Sequence, residues 1–133
     1  MNHILATVSK IQSCDSLHIV KFDFNGIELS MMSLELAKNI QENTKVKLST
    51  KSSHIAIAKK FSGEVSYSNK LKSKIISIEN GELLACIKVQ IFDTILESII
   101  TVNSSKRMSL KVGDEVTAFI KASELSILEV CDD

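Results

Sequence analysis

The chain contains no proline and no tryptophan, and only four glycines, one tyrosine and three cysteines in 133 residues. Without proline, and with glycine this sparse, no flexible linker between domains is evident. The cysteines, Cys14, Cys86 and Cys131, are odd in number and far apart. They form no Cys-x-x-Cys pair, so no zinc site is indicated, and reduced thiols in the cytoplasm are the simplest reading. An excess of either charge is also missing: 16 Lys and Arg balance 16 Asp and Glu. Such a chain has no long-range field to steer it to nucleic acid or an anionic membrane. No apolar run is long enough to span a bilayer, and the N-terminus lacks the pattern of a signal peptide. Tyr67 and five scattered phenylalanines make a poor set of stacking platforms for nucleic acid. His3, His18 and His54 have no metal-ligand spacing. No nucleophile–base pair, metal cluster or phosphate loop stands at a convincing spacing, so neither an enzyme nor a catalytic cofactor is expected.

What the chain does have is a repeat. Val46-Lys47-Leu48-Ser49-Thr50-Lys51-Ser52-Ser53 aligns with Val116-Thr117-Ala118-Phe119-Ile120-Lys121-Ala122-Ser123 at an offset of 70. The segment starting at Asn2 aligns with the one starting at Asn69 at an offset of 67, so the second copy carries three extra residues, which we place in a hairpin. Each copy is near the lower size limit for an independent core, so the two should share apolar surface or oligomerise.

Period-two alternation of β-branched residues predicts strands throughout. In the second copy these cover residues 71–78, 83–92, 95–102, 116–121 and 124–130. Asn80-Gly81 reads as a type I′ hairpin turn. Asn103-Ser104 is positioned to cap a short helix through Leu110. The first copy repeats the order with strands at 4–11, 17–24, 27–32, 45–50 and 54–59. Asn25-Gly26 forms its hairpin, and Ser33 is positioned to cap a helix over 34–40. The expected fold is therefore all-β: two tandem OB-like five-stranded barrels, each with a short helix before its fourth strand. Residues 1–62 form the first barrel and 66–131 the second, joined through 61–68.

In this order and spacing the motifs resemble a known family. The segments are Leu71-Lys72-Ser73-Lys74-Ile75-Ile76-Ser77-Ile78-Glu79-Asn80-Gly81, then Ile100-Thr101-Val102-Asn103-Ser104, then residues 110–118, then Ile120-Lys121-Ala122-Ser123. Together they are similar to the molybdate-binding (Mop, or TOBE) domain of molbindins, and the whole chain resembles a tandem molbindin. The resemblance implies oxyanion sites between barrels, formed in an oligomer. Its contact segments fall on Ser66-Tyr67-Ser68-Asn69, on Thr101 and Ser104, and on Lys121-Ala122-Ser123. Ser68 stands where the family has arginine. In the first copy Lys51 and Ser53 remain. That copy begins at Met1-Asn2, so most of the first contact segment is missing, and Met31 and Leu34 replace the expected threonine and serine. A composite site using second-copy donors is the expectation.

Chemically, these residue types suit a tetrahedral dianion. Hydroxyls and amides donate, lysine supplies charge, and free N–H groups at a helix start add positive potential. Each residue alone has an ordinary structural reading: Thr101 in a strand, Ser104 as a cap, Lys51 and Lys121 in solvent, Lys106-Arg107 on an exposed helix face. The implied function is cytoplasmic binding of molybdate or tungstate at barrel or subunit interfaces, for storage, buffering or homeostasis. The alternative is an oxyanion-responsive sensor or protein-interaction module. The implied partners are a small inorganic oxyanion and further copies of the chain, a trimer assembling six barrels, with no nucleic acid and no membrane.

Overall fold

The structure, a computed structural model, describes residues 2–131. In chain order the elements are β1 (Asn2–Cys14), β2 (Leu17–Phe24), β3 (Ile27–Ser33), β4 (Lys45–Thr50), β5 (Ile55–Lys59), β6 (Asn69–Asn80), β7 (Leu84–Ile91), β8 (Thr94–Thr101), α1 (Val102–Arg107), β9 (Glu115–Ile120) and β10 (Ser126–Val130). Single 3-10 turns at Ser52–His54 and Ala122–Glu124 precede β5 and β10. The architecture is two OB-like five-stranded units, as the alternation predicts. In β6, Asn69, Leu71, Ser73 and Ile75 point inward while Lys70, Lys72 and Lys74 point to solvent.

The hydrogen-bonded sheets do not follow the repeat boundary. One has the order β10-β4-β1-β2-β3 and the other β5-β9-β6-β7-β8. Each copy thus gives its fifth strand to the other copy's sheet. Ile55 lies opposite Ile120 and Ile57 opposite Ala118, while Ile127 lies opposite Leu48 and Val130 opposite Val46. The 3-10 turn after β4 packs on β8, and the one after β9 packs on β3. The buried side chains consequently form one continuous core, running from Phe22, Leu29 and Leu48 through Ile55 to Leu71, Ile87 and Ile120.

The three extra residues of the second copy are not in a hairpin. Register pairs Phe22 with Leu29 and Val89 with Leu96, both at offset 67, so the offset still holds in β3 and β8. By Asn43 and Gly113 it is 70: their N–H groups donate to Val8 and Ile75, respectively. The insertion therefore lies in the crossing loop before the fourth strand.

That location explains a second difference. No helix follows Ser33; residues 34–44 are irregular, with turns at 38–39 and 42–43. The Ser33 hydroxyl contacts only Glu35, accepting from its N–H at 3.2 Å and donating to its carbonyl at 2.5 Å. A loop three residues shorter lacks most of a helical turn. The two Asn-Gly pairs also behave differently. Asn25 (φ 49°) and Gly26 (φ 93°) take the left-handed conformations of a type I′ turn, whereas neither Asn80 nor Gly81 has positive φ. Gly81 is needed for close approach instead. Its N–H donates to Leu84 O at 2.8 Å, and a Cβ there would sit 3.0 Å from that oxygen.

Candidate functional site

The start of α1 gathers the largest polar cluster among the candidate residues. Thr101, the last residue of β8, is the N-cap, and its Oγ1 accepts from the Ser104 N–H at 3.1 Å. The cap is therefore Thr101 and not the Asn103-Ser104 pair. Thr101 Oγ1 donates to Ser104 Oγ at 3.0 Å, and Arg107 Nη2 donates to the same oxygen at 3.2 Å. Arg107 is one helical turn from Ser104, where side chains share a face. That spacing is the signal the reading of Lys106-Arg107 as a plain solvent face passed over. Not every N–H at the helix start remains free: Val102 donates to Leu83 O and Ser104 to Thr101.

The other candidates are placed elsewhere. Lys121 precedes the Ala122–Glu124 turn, with Lys121 and Ser123 exposed and Ala122 half-buried. This turn packs on β3, and Ser123 lines a groove of about 680 Å³ together with Ser33 and Leu34. Lys51 and Ser53 are exposed on the equivalent turn, which packs on β8; there Ser52 Oγ donates to Glu97 Oε1 at 3.3 Å. Each Lys-x-Ser turn thus faces the third strand of the opposite copy. Among the described residues, no hydrogen bond or ion pair joins Thr101, Ser104 or Arg107 to Lys121 or Ser123. The two turns are tied to each other by His54 Nδ1 and Glu124 Oε2 at 3.1 Å.

In the segment 66–69, Ser66 and Ser68 are exposed and Tyr67 lies half-buried against Phe119, ring centroids 5.3 Å apart. Asn69 is fully buried and its amide is committed. Oδ1 accepts from the Ser30 N–H at 2.7 Å, and Nδ2 donates to Ser30 O and Ile120 O, each at 3.0 Å. Both Nδ2 hydrogens are consumed, one joining β6 to β3 and the other held by β9. Asn2 does the same from the other side, accepting from the Glu97 N–H at 2.7 Å and donating to Glu97 O at 2.8 Å.

At offset 67 the counterpart of Thr101 is Leu34, not Met31. Leu34 is 69% exposed and cannot cap, so the first copy has no hydroxyl cluster at this point. Cys86 lies on the outer face of β7, not in the core. Partial burial, and then Glu97 beside it, push its thiol pKa up.

Comparison with known proteins agrees with this fold. The TOBE domain family model matches residues 66–127. A curated protein of Haemophilus influenzae, described as a probable molybdenum-pterin-binding protein, is 35% identical over 65 residues, which are 48% of this chain and 94% of that one. ModG, described as a cytoplasmic molybdate-binding protein and solved with molybdate bound, superposes with a TM-score of 0.89 at 24% identity, covering 95% of this chain and 94% of ModG. A molybdate-binding protein from Sporomusa ovata is 34% identical over 50% of this chain and 100% of its own, with a TM-score of 0.49. The likeness to ModG shows the fold, and the 35% identity to the Haemophilus influenzae protein, 94% of which is covered, shows the family. The chain belongs to the molbindin-like, TOBE-domain family, as a tandem of two such units in one polypeptide.

Proposed function

We propose that the protein binds molybdate, or the similar tungstate, as a reversible ligand in the cytoplasm, for storage, buffering or homeostasis. The observation that carries this reading is the chain Thr101–Ser104–Arg107. Ser104 Oγ accepts from both Thr101 and Arg107. Its two lone pairs are thereby used, and its own proton is left to donate. Ser104 therefore offers a ligand a donor and no acceptor. That suits a tetrahedral dianion without a proton and disfavours protonated phosphate, whose O–H would find no partner on Ser104. Arg107 supplies the guanidinium that the segment at Ser68 lacks. The names of the relatives from Haemophilus influenzae and Sporomusa ovata, and of ModG, point the same way.

The site is completed between chains. Leu83, Leu84 and Ile99 are 78%, 57% and 36% exposed, and Leu84 lies opposite Thr101 in the β7–β8 ladder. An apolar collar beside a donor cluster is a place for another copy to dock. Docking would bring up Lys121, Ala122 and Ser123, with Lys51 and Ser53 supplying weaker positions and Ser66, Tyr67, Ser68 and Asn69 contributing mainly backbone. A trimer assembles six barrels and satisfies this arrangement. The same collar favours a second reading, in which the anion controls docking of a different protein and the chain is a sensor. Ligand-dependent co-purification of such a protein separates sensing from storage.

The test is thermal unfolding and native mass spectrometry with molybdate, tungstate, sulfate and phosphate. A ligand at about 100 times its dissociation constant stabilises by about 2.7 kcal/mol, which for a chain this size raises Tm on the order of 10 °C. Thr101→Val or Lys121→Ala should weaken binding more than Lys51→Ala. No shift with molybdate or tungstate, together with no uptake in equilibrium dialysis, would sink the proposal. Equal stabilisation by phosphate would remove the discrimination argument.

A further inference from the structure

Far along the outer face of the second sheet, away from Thr101 and the Lys-x-Ser turns, lies a cleft of about 690 Å³. Its floor is β6 and β9, and its walls include Lys60 and Phe61 from the connection after β5 and Phe92 from the β7–β8 turn. Lys60, Lys72 and Lys74 all line it, against a single carboxylate, Glu115. Among the described residues, none of the three lysines makes an ion pair.

The duplication provides an internal control. The positions equivalent to Lys72 and Lys74 in the other copy are Leu5 and Thr7, and, past the bulge in β10, the position equivalent to Lys60 is Cys131. The fold therefore does not require lysine at these positions, and a cluster of three lysines is gathered on only one of the two copies, the other carrying Asp23 and Lys45 on its equivalent surface. Phe92 gives an independent sign. It sits at φ 54° in a turn where the first copy has Asn25 at φ 49°. Asparagine tolerates the left-handed region, whereas a bulky side chain there is a strained outlier, and such strain gathers at functional sites. The Phe92 ring makes a T-shaped contact with Phe24, centroids 5.6 Å apart, and the residue remains 52% exposed beside the cleft. Lys60 is also left-handed, at φ 57°.

We propose that this cleft binds a small planar organic anion, an aromatic ring system bearing a phosphate. Lys60, Lys72 and Lys74, offset by Glu115, leave a local charge that complements a phosphate dianion. Phe92 and Phe61 offer apolar surface for the ring, with a cation beside it. The volume is that of an ordinary small-molecule site. A bare inorganic oxyanion would leave the phenylalanines unused. The proposal shares no residue with the molybdate reading, so either can fail alone.

The experiment is calorimetric titration of the full chain with FMN and AMP as probes, against riboflavin and inorganic phosphate. FMN should bind about tenfold or more tighter than either control, and molybdate should not compete. The Lys72→Ala/Lys74→Ala double variant, and separately Phe92→Asn, should each weaken FMN binding about tenfold with Tm maintained. Lys88→Ala, on the same sheet face but outside the cleft, should leave it unchanged. Absence of FMN and AMP binding at millimolar concentration overturns the proposal, as does riboflavin binding equal to FMN. So does an equal loss in Lys88→Ala. Tighter binding of a short oligothymidylate than of AMP would also overturn it, in favour of single-stranded nucleic acid.

Discussion

Asn69 makes three hydrogen bonds, two of them across the join between the sheets to Ser30 and one to Ile120 O on the neighbouring strand β9, and Asn2 makes two across the join at the equivalent point. Truncation would leave the Ser30 N–H and two carbonyls unpaired in a dry interior. We expect Asn69→Ala to cost about 3 kcal/mol and Asn2→Ala less, read as a lowered urea midpoint at unchanged slope. Thr101→Val keeps the β-branched shape but removes the cap, which should cost about 1 kcal/mol. A loss in Asn69→Ala no larger than in Thr101→Val would contradict the assignment of Asn69 to the join. Asp114 adds a pH dependence. The Lys111 N–H at 2.9 Å, and then the Lys59 ammonium at 3.1 Å, hold its carboxyl pKa below the usual value. The folded state therefore gains stability from Asp114 above the unfolded pKa, about 3.9. It loses that gain as pH falls through the lower folded value. The stability difference between the native chain and Asp114→Asn should accordingly be constant near neutrality and shrink below about pH 4. A difference unchanged down to pH 2 would count against this linkage.

Among the elements, α1 is the one that distinguishes the copies. Its C-terminal end is held by β5, a strand from the first copy: Lys59 Nζ donates to Met108 O at 3.2 Å and to Ser109 O at 3.0 Å. Lys59→Met should leave both carbonyls without this donor and cost about 1–2 kcal/mol. Amide exchange should quicken at residues 104–110 more than in β2, and uniform quickening would point to a global effect instead. The strands themselves were readable, because alternation reports which face of a sheet is dry. The helices were less so. Ser33 and Asn103-Ser104 both look like caps, but capping needs enough following chain to close a turn, and an offset of three residues does not say where the residues lie. Asn80-Gly81 misled in a similar way: the dipeptide permits a type I′ turn without requiring one. Of the candidate site, the hydroxyls were visible through the family's spacing. The Arg107 contact was hidden because it depends on the helix beginning at Thr101.

At the scale of the molecule, the repeat was plain in the sequence but the exchange of fifth strands was not. β5 and β10 are both five residues long, follow similar turns and fit either partner by pattern, so only three-dimensional packing decides between them. The exchange predicts the behaviour of a fragment. Residues 66–131 alone contain β9 without β5 and β10 without β4. Such fragments should pair β10 of one with β9 of another and run on size exclusion as dimers or larger. A folded monomer would show that β10 can return to its own sheet.

The exchange also sets a timetable. During synthesis β4 is complete long before β10, which lies roughly 80 residues later; at 5–20 residues per second that is on the order of 4–16 s. Throughout that interval the first sheet has an open edge at β4, where another nascent copy could add a strand. Growing chains on one message could therefore meet before either is finished, and the pairing that closes each monomer is also the one most exposed to error.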